Sequence, residues 1–480
     1  MTEKFKEDNK VFLTHGYFIH EDAKEQLIMK PYPPLGILYV SAFLEQEGIA
    51  NEVFDSTFSD FETLCASLIK NQPKIIGIYT NLMTKLNVLR IIKFIKSTEK
   101  LQQTKIVLGG PEVRYHIENF LRNGADFLVV GEGEESMLEL SQYILRDVRQ
   151  GESENRGSEL FKIQGLAYLS NDGKVIKTAE RTLRKDMDSL PLPNRKRINL
   201  GLYLDAWKKK HGTSTISVST MRGCPYTCKW CSRAVYGQSY RRRSAASVVN
   251  ELETLQKEYT FDTIWFVDDV FTISHKWLSE FKQEIKAKNL KVAFECITRA
   301  DRMNAQVIND LKESGCFRVW IGAESGSQKI LDAMDRRVRA SQVSEMIQLA
   351  KHAGLETGTF IMVGYPGETE ADLEQTILHL KSADPDYYTL TLAYPITGTE
   401  LFEETESLFT LKPDWSSSTD RDIDFKRTYP RRYYDFAIRR IYNEVAYAKC
   451  RTRRDGNLLQ SGTYKLKSIA AKAAMLLSRI

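Results

Sequence analysis

Three of the chain's seven cysteines fall within the single stretch CPYTCKWC, as Cys224, Cys228 and Cys231. The spacing is C-x3-C-x2-C, and the next cysteine is Cys296. Thiolates are soft ligands that suit zinc and iron–sulfur clusters. A structural zinc site is closed by four protein ligands. The nearest histidine, His211, lies thirteen residues before Cys224 with a predicted strand between, so it is badly placed to be the fourth. A 4Fe–4S cluster usually takes four cysteines; with three, one iron keeps a position for a small molecule. An open metal position points to chemistry rather than to structural support.

The elements that must hold this loop form a β–α alternation that resumes at Thr215. Strands are predicted at Thr215–Thr220, Thr263–Val267, Val292–Cys296, Arg318–Ile321, Glu356–Val363 and Tyr387–Leu392. Helices separate them, with Ser244 the N-cap of Ala245–Glu258 and Ser341 the N-cap of Gln342–His352. Six such units make a partial (β/α) barrel, whose active residues belong at the carboxyl ends of its strands. The three cysteines follow the first of those ends.

The front of the chain alternates in the same way. Strands are predicted at Val11–Leu13, Glu52–Asp55, Ile75–Tyr79, Lys105–Leu108 and Phe127–Val130, with helices at Leu35–Glu47, Phe58–Lys70, Leu86–Ser97 and Ile117–Asn123. This is the pattern of a doubly wound parallel sheet, which binds ligands beyond its strands' carboxyl ends. Two of the loops there are glycine-rich, LGGPEV with Gly109 and Gly110, and VGEGEES with Gly131 and Gly133. Glycine lets a backbone approach a ligand closely. Between the two alternations, RDVRQGESENRGSE reads as an exposed loop, GLAYLSNDGKVIKT as a hairpin and DSLPLPNR as an extended connector. The expected fold class is α/β, with a doubly wound domain over 1–145, a linker with a small β element over 146–205, the partial barrel over 206–400 and a helical segment over 401–480.

With 480 residues, 42% hydrophobic and 27% charged, the chain has the composition of an ordinary globular protein. A net charge of +5 is too weak to imply nucleic acid. No run reaches the ~18 apolar residues of a spanning helix, and MTEKFKEDNK lacks the look of a secretory signal, so the cytoplasm is expected. RRYYDFAIRRIYNEVAYAKCRTRR reads as a basic, aromatic-rich helix. TYKLKSIAAKAAMLLSRI reads as an amphipathic basic helix, either packed or lying on a membrane surface. Cys65, Cys296, Cys316 and Cys450 are expected to be buried small residues.

The cysteine loop, with an aromatic before its last cysteine, resembles that of the radical S-adenosylmethionine (SAM) enzymes. The resemblance implies a 4Fe–4S cluster on Cys224, Cys228 and Cys231, with SAM on the fourth iron and cleaved to a 5′-deoxyadenosyl radical. Asp268 and Asp269 in WFVDDVF stand where that family receives the SAM amino group. Arg299 in ECITRADR, Glu324 in VWIGAESGS and Arg336 in MDRRVR fall where its ribose and carboxylate are held. Gly364 and Pro366 in FIMVGYPGET, with Trp230, are implied at the adenine. YRRRS is read as structural. The front domain, in KPYPPLGILYVSAFLEQEGIANEVFD, GGPEV and VVGEGEESMLEL, is similar to the flavodoxin-like cobalamin-binding domain of one large radical SAM class. That places Gly109, Gly110, Gly131 and Gly133 near a corrin. The D-x-H-x-x-G motif that supplies a cobalt ligand is missing, and neither His15 nor His20 fits it, so the lower axial ligand is unassigned.

The resemblance implies a class B methyltransferase acting on an unactivated carbon of a small molecule, a natural product or a lipid-like compound, with a flavodoxin or ferredoxin as electron donor. ESGS and the general layout also resemble the anaerobic magnesium-protoporphyrin monomethyl ester cyclase, which implies cyclisation or rearrangement without methyl transfer. An empty corrin fold and a non-enzymatic iron–sulfur or zinc module are further alternatives. An RNA-modifying methylthiotransferase needs three more cysteines in its front domain, where this chain has Cys65 alone. No catalytic side chain is assigned.

Overall fold

The computed structural model describes residues 11–146, 156–452 and 458–479. The first ten residues, and 147–155 of the predicted polar loop, lie outside the described residues.

The front sheet begins with five short strands: β1 Val11–His15, β2 Asn51–Phe54, β3 Ile75–Tyr79, β4 Lys105–Gly109 and β5 Phe127–Val129. They pair in parallel in the order 2-1-3-4-5. Neighbouring residues serve opposite cores. Phe12, Ile76, Ile106 and Leu108 meet the helix Lys85–Ser97, while Val11, Leu13, Ile75 and Val107 meet the helix Leu35–Gln46. Burial on both faces explains why these strands read as unbroken apolar runs.

Two features depart from the sequence reading here. The hairpin expected in the linker, β6 Leu166–Leu169 and β7 Val175–Lys177, belongs to the front sheet. β6 pairs antiparallel with β5 and covers what would otherwise be an open edge. The front layer therefore runs past residue 145. The second departure is the helix Glu134–Leu145, which starts directly in the glycine-rich loop and buries Met137, Leu140 and Leu145.

The second sheet comprises β8 Thr215–Val218 and the strands Thr263–Phe266, Phe294–Thr298, Cys316–Glu324, Glu356–Val363 and Tyr387–Leu392. All six pair in parallel in chain order, giving a half-barrel. Its outward residues, such as Ile264, Phe266, Cys296, Val319 and Ile361, pack on the surrounding helices in one large core. The third strand lies two residues later than predicted, because Phe294 and Cys296 are fully buried outward while Val292 is only partly buried. Ser244 caps Ala245–Glu258 as expected, its hydroxyl accepting from Ser247 N at 3.1 Å. Ser341 does not cap its helix. That helix starts at Ala340, whose amide donates to the Gln328 side chain at 3.0 Å, so Ser341 falls inside the first turn.

The carboxyl-terminal segment is not helical throughout. A short ladder joins Phe409–Leu411 to Asp424–Phe425, and the loop between them returns to the front domain. There Trp415 meets the Phe120 ring edge-on at 4.8 Å and lies under the Lys85 ammonium. The helices Arg431–Thr452 and Leu458–Leu477 then pack on each other. Among the described residues no helix is long and apolar enough to cross a membrane. Cys65, Cys296 and Cys316 are buried as expected, whereas Cys450 is only partly so.

Candidate functional site

The carboxyl edges of both sheets open into one cavity of about 690 Å³. Its front wall takes His15 and Tyr17 after β1, Tyr79 and Asn81 after β3, and all four predicted glycines, Gly109, Gly110, Gly131 and Gly133. Its barrel wall takes Ser219, Gly223, Asp268 and Asp269. Gly110 has φ 105°, and a Cβ there would stand 2.4 Å from the Thr80 carbonyl oxygen, so the turn requires glycine. The floor is apolar, with Leu13, Val107, Val129 and Met137. A broad ligand with an apolar body fits this shape and lining, as a corrin requires. His15 is held: its Nδ1 accepts from Tyr17 N at 3.2 Å, and its Nε2 faces Asp55 at 3.0 Å. Both ring nitrogens are engaged, which agrees with the missing cobalt-ligand motif.

The three cysteines leave β8 through a tight turn. Gly223 has φ 82°, and a Cβ there would meet Ser239 at 2.4 Å. Cys228 is buried, Cys224 partly buried and Cys231 exposed. Desolvation pushes the Cys231 thiol up to about 12 and also raises Cys224. Asp269 and Cys228 add to both shifts, and Cys224 adds to that of Cys231. Among the described residues no three such groups are close enough for a single metal ion. A cubane cluster spreads its cysteines over three iron corners, and the donor set on this loop suits that chemistry. Two guanidinium groups already face Cys228 Sγ: Arg299 Nη1 at 3.6 Å and Arg336 Nη1 at 3.8 Å.

The structure separates the two aspartates. Asp268 is buried and fully bonded, accepting from Thr220 N at 2.8 Å, Met221 N at 3.3 Å, Arg242 Nη2 at 3.1 Å and the Thr220 hydroxyl. Among the described residues Asp269 has no such partners, and its charge acts on the Cys224 and Cys231 thiols. Burial, then the Asp268 charge, raises its carboxyl. Arg299 is 2% exposed and held by Asp301 at 2.8 Å, the Arg336 carbonyl at 2.7 Å and the Tyr226 ring. Its fork is occupied within the protein.

Glu324 and Arg336 stand together. Glu324 has φ 66°, at the bulge between Gly322 and Glu324. A left-handed glutamate at a strand end is uncommon and marks such a position for functional attention. Its carboxylate lies 3.8 Å from Arg336, burial raises it, and the Arg336 charge opposes that shift. Arg336 is buried, donates to the Gly322 carbonyl at 3.0 Å and leaves its Nε without a partner.

Gly364 and Pro366 form a turn closed from within by Glu368, whose Oε2 accepts from Gly364 N at 2.5 Å. Trp230 packs with Tyr365, Met334 and Ile330 beside this turn. Its ring is partly buried against this cluster. The cavity thus gathers the four glycines and the aspartates. Cys228, Arg299, Arg336 and Glu324 form a second, hydrogen-bonded group, and Trp230 joins the Gly364 turn. The YRRRS arginines are spent on the fold: Arg241 on Glu132, Arg242 on Asp268 and Arg243 on Glu251.

One group escaped the sequence reading. Arg222, two residues before Cys224, donates to Glu132 at 2.9 Å and to Glu134 at 2.5 Å, and Arg241 reaches Glu132 at 2.7 Å. All of these charged ends are nearly or fully buried. The two acids flank Gly133, so the pairs tie the front glycine loop to the cysteine loop. Arg114 adds a bond to the Ala234 carbonyl at 2.7 Å. Nothing in the local sequence distinguishes Arg222 from a surface arginine.

A doubly wound domain facing the mouth of a parallel half-barrel, with a three-thiol loop after the first barrel strand, defines a two-domain α/β class whose ligand-binding edges share one cavity. The Radical SAM superfamily matches residues 218–380, and the B12 binding domain matches residues 28–141. An uncharacterized methyltransferase of Pyrococcus horikoshii is 32% identical over 395 residues, covering 80% of each chain. The anaerobic magnesium-protoporphyrin IX monomethyl ester cyclase of Cereibacter sphaeroides is 26% identical over 385 residues, 78% of this chain and 60% of its own. Two solved structures share the fold. The radical SAM methyltransferase TsrM of Kitasatospora setae, with cobalamin and a [4Fe-4S] cluster bound, has a TM-score of 0.66 at 18% identity, over 83% of this chain and 75% of its own. The cobalamin-dependent SAM radical enzyme OxsB, with aqua-cobalamin and SAM bound, has a TM-score of 0.74 at 15% identity, over 98% of this chain and 72% of its own. The chain belongs to the radical SAM superfamily, in the cobalamin-dependent branch that carries a B12 binding domain and includes methyltransferases. It is an enzyme, and the cofactors of its family are a 4Fe–4S cluster, SAM and cobalamin.

Proposed function

We propose that this enzyme methylates an unactivated carbon of a small molecule. The observation that carries the reading is the shared cavity, whose walls join the front glycine loops to the aspartates at the half-barrel mouth. When bound, cluster and SAM supply a hydrogen-abstracting radical, and cobalamin carries the methyl group. Cys224, Cys228 and Cys231 would hold the cluster. Asp269 accepts the SAM ammonium, since a carboxylate without protein partners is available for a charge-assisted hydrogen bond. Glu324 and Arg336 orient the ribose and the methionine carboxylate. Asp268 and Arg299 hold the loops that carry these groups. The backbones of Gly364, Pro366 and Trp230 line the adenine. Gly109, Gly110, Gly131 and Gly133 let main chain approach the corrin. The domain assignment follows this division of labour, with the front sheet for cobalamin and the half-barrel for SAM.

On this reading the partners are the substrate, a one-electron donor such as a flavodoxin or ferredoxin, and a membrane surface touched by the carboxyl-terminal helix of a cytoplasmic enzyme. The cyclase relative, alike over 78% of this chain, favours a second reading: cyclisation without methyl transfer.

Anaerobic reconstitution should give about four irons per chain, and the joint alanine variant of Cys224, Cys228 and Cys231 should lose the cluster absorbance. A full cluster in that variant sinks the assignment. With the substrate at hand, 5′-deoxyadenosine and S-adenosylhomocysteine should appear together. 5′-Deoxyadenosine alone supports cyclisation, and neither product leaves a binding module.

A further inference from the structure

The helix Leu458–Leu477 has two unlike faces. Ser461, Ser468, Ala471 and Met475 are buried against the preceding helix and the barrel. That face is fastened by polar bonds: Glu444 accepts from the Ser468 hydroxyl at 2.6 Å and from Lys465 at 2.9 Å, and is also paired with Lys381. At the far end Arg479 pairs with Glu370. Rolling the helix to hide its other face would break all of these bonds.

The other face is apolar and open. Leu459 is 84%, Leu466 70% and Leu477 83% exposed, and Ile469 and Leu476 are about half exposed. Spacings of three, seven and eight residues put them in one stripe along the helix. Lys465 and Lys472 border the stripe on one side and Lys467 on the other. From Leu458 to the end of the chain there is no aspartate or glutamate. Lys465 pairs with Glu444 and Lys472 lies 3.8 Å from Glu374, yet about half of each lysine side chain is exposed. An apolar stripe flanked by cations on a helix without acids of its own has the chemistry of a helix that lies in an anionic lipid interface. A protein partner would not require both edges to be cationic.

We propose that this helix docks the enzyme in plane on an anionic bilayer, with Leu459, Leu466, Ile469, Leu476 and Leu477 sunk among the acyl chains and Lys467 and Lys472 among the head groups. The proposal deepens the membrane contact named among the partners above and does not depend on the methyl-transfer reading. It is tested on the full-length holoenzyme by anaerobic co-sedimentation with vesicles. Vesicles of phosphatidylcholine with one-third phosphatidylglycerol should bind the protein, at least about tenfold more tightly than pure phosphatidylcholine, and high salt should weaken the binding. The pair Leu466→Glu and Ile469→Glu should release the protein, while Leu27→Glu, an exposed leucine of the front domain, should not. The pair Lys467→Glu and Lys472→Glu leaves the apolar stripe intact and should remove the preference for phosphatidylglycerol. Far-ultraviolet circular dichroism and cluster absorbance confirm folding of each variant. Equal binding to both vesicles overturns the anionic assignment, and no binding to either overturns the membrane contact itself. A dimer in light scattering that Leu466→Glu dissociates overturns it in favour of a second copy of the chain.

Discussion

Replacing Arg222 by glutamine tests whether the buried pairs hold the two cofactor loops together. The substitution removes donors at 2.9 Å from Glu132 and 2.5 Å from Glu134. Glu132 keeps Arg241 at 2.7 Å, so Glu134 is the carboxylate left without a charged partner. Stripping the partner from one buried ion costs about 3–5 kcal/mol. Glu134 is the first residue of the helix Glu134–Leu145, where the helix dipole returns about 0.3–1 kcal/mol to a carboxylate. The expected loss is therefore about 2–5 kcal/mol, plus the packing of the guanidinium between the Tyr39 and Tyr236 rings. Burial alone would favour a neutral Arg222, and the nearby carboxylates overcome that, so the charge is present to be lost. Anaerobic urea denaturation of the wild type, Arg222→Gln, Glu134→Gln and the double variant closes a cycle. Its coupling energy should be at least about 1 kcal/mol, with the double variant less damaged than the two single losses added. Cobalamin affinity should fall in Arg222→Gln and partly recover in the double variant. A coupling energy near zero, or a single variant within about 0.5 kcal/mol of wild type, would refute the argument.

The aspartate pair gives a second prediction. Asp268→Asn leaves buried Arg242 without its charge partner and should cost about 3 kcal/mol of stability, whereas Asp269→Asn should change stability by less than about 0.5 kcal/mol and weaken SAM binding in anaerobic calorimetry. Equal effects of both on SAM affinity would contradict the division between them. A third prediction concerns Glu368, which burial pushes up to about 8 while the Gly364 amide opposes the shift. The folded chain keeps this proton where an unfolded glutamate has lost it, so stability should fall as pH rises from about 4.5 to about 8, by at most on the order of 5 kcal/mol. Glu368→Gln should flatten that slope in denaturation series at pH 5 to 9, and an unchanged slope would remove Glu368 as its source.

The alternation of both sheets was legible because parallel strands buried on two faces leave β-branched runs, as in Ile75–Tyr79 and Glu356–Val363. The cysteine loop was legible because three thiols at fixed spacing are rare by chance. What stayed hidden needed the third dimension. Asp268 and Asp269 are the same residue twice in sequence, and only the Thr220 turn and Arg242 make one structural. The hairpin at Leu166–Lys177 reads as a hairpin wherever it sits, and nothing local says that β6 will cover the edge of β5. Ser341 is as good a cap as Ser244 by type, but the Gln328 side chain receives the Ala340 amide and the helix starts two residues earlier than that cap allows.

Two parallel sheets deliver their loops at their carboxyl edges, and here those edges face each other. That alone would let two cofactors meet, but it does not fix their separation. Radical chemistry between them is sensitive to displacements of about an ångström. The residues that could fix the separation bridge the two walls, and Arg222, Glu132 and Glu134 also line the cavity. Arg222 and Arg241 reach Glu132 and Glu134, Arg114 reaches the Ala234 carbonyl, and the Tyr115 ring fills the space that a Cβ on Gly398 would need. All but the Tyr115 contact join the glycine-rich loops of the front sheet to the cysteine loop or to Arg241–Arg242, which pair antiparallel with Met221–Arg222 at its base. A buried network of this kind adds little net stability over an apolar interface. Its value is geometric: charged hydrogen bonds have one register, and an apolar contact can slide. The damage from Arg222→Gln should therefore appear in cobalamin affinity and in the matching of radical formation to methyl transfer as well as in stability. An apolar replacement of all four charged residues that restored stability without restoring that match would show that register, not adhesion, is what the network provides.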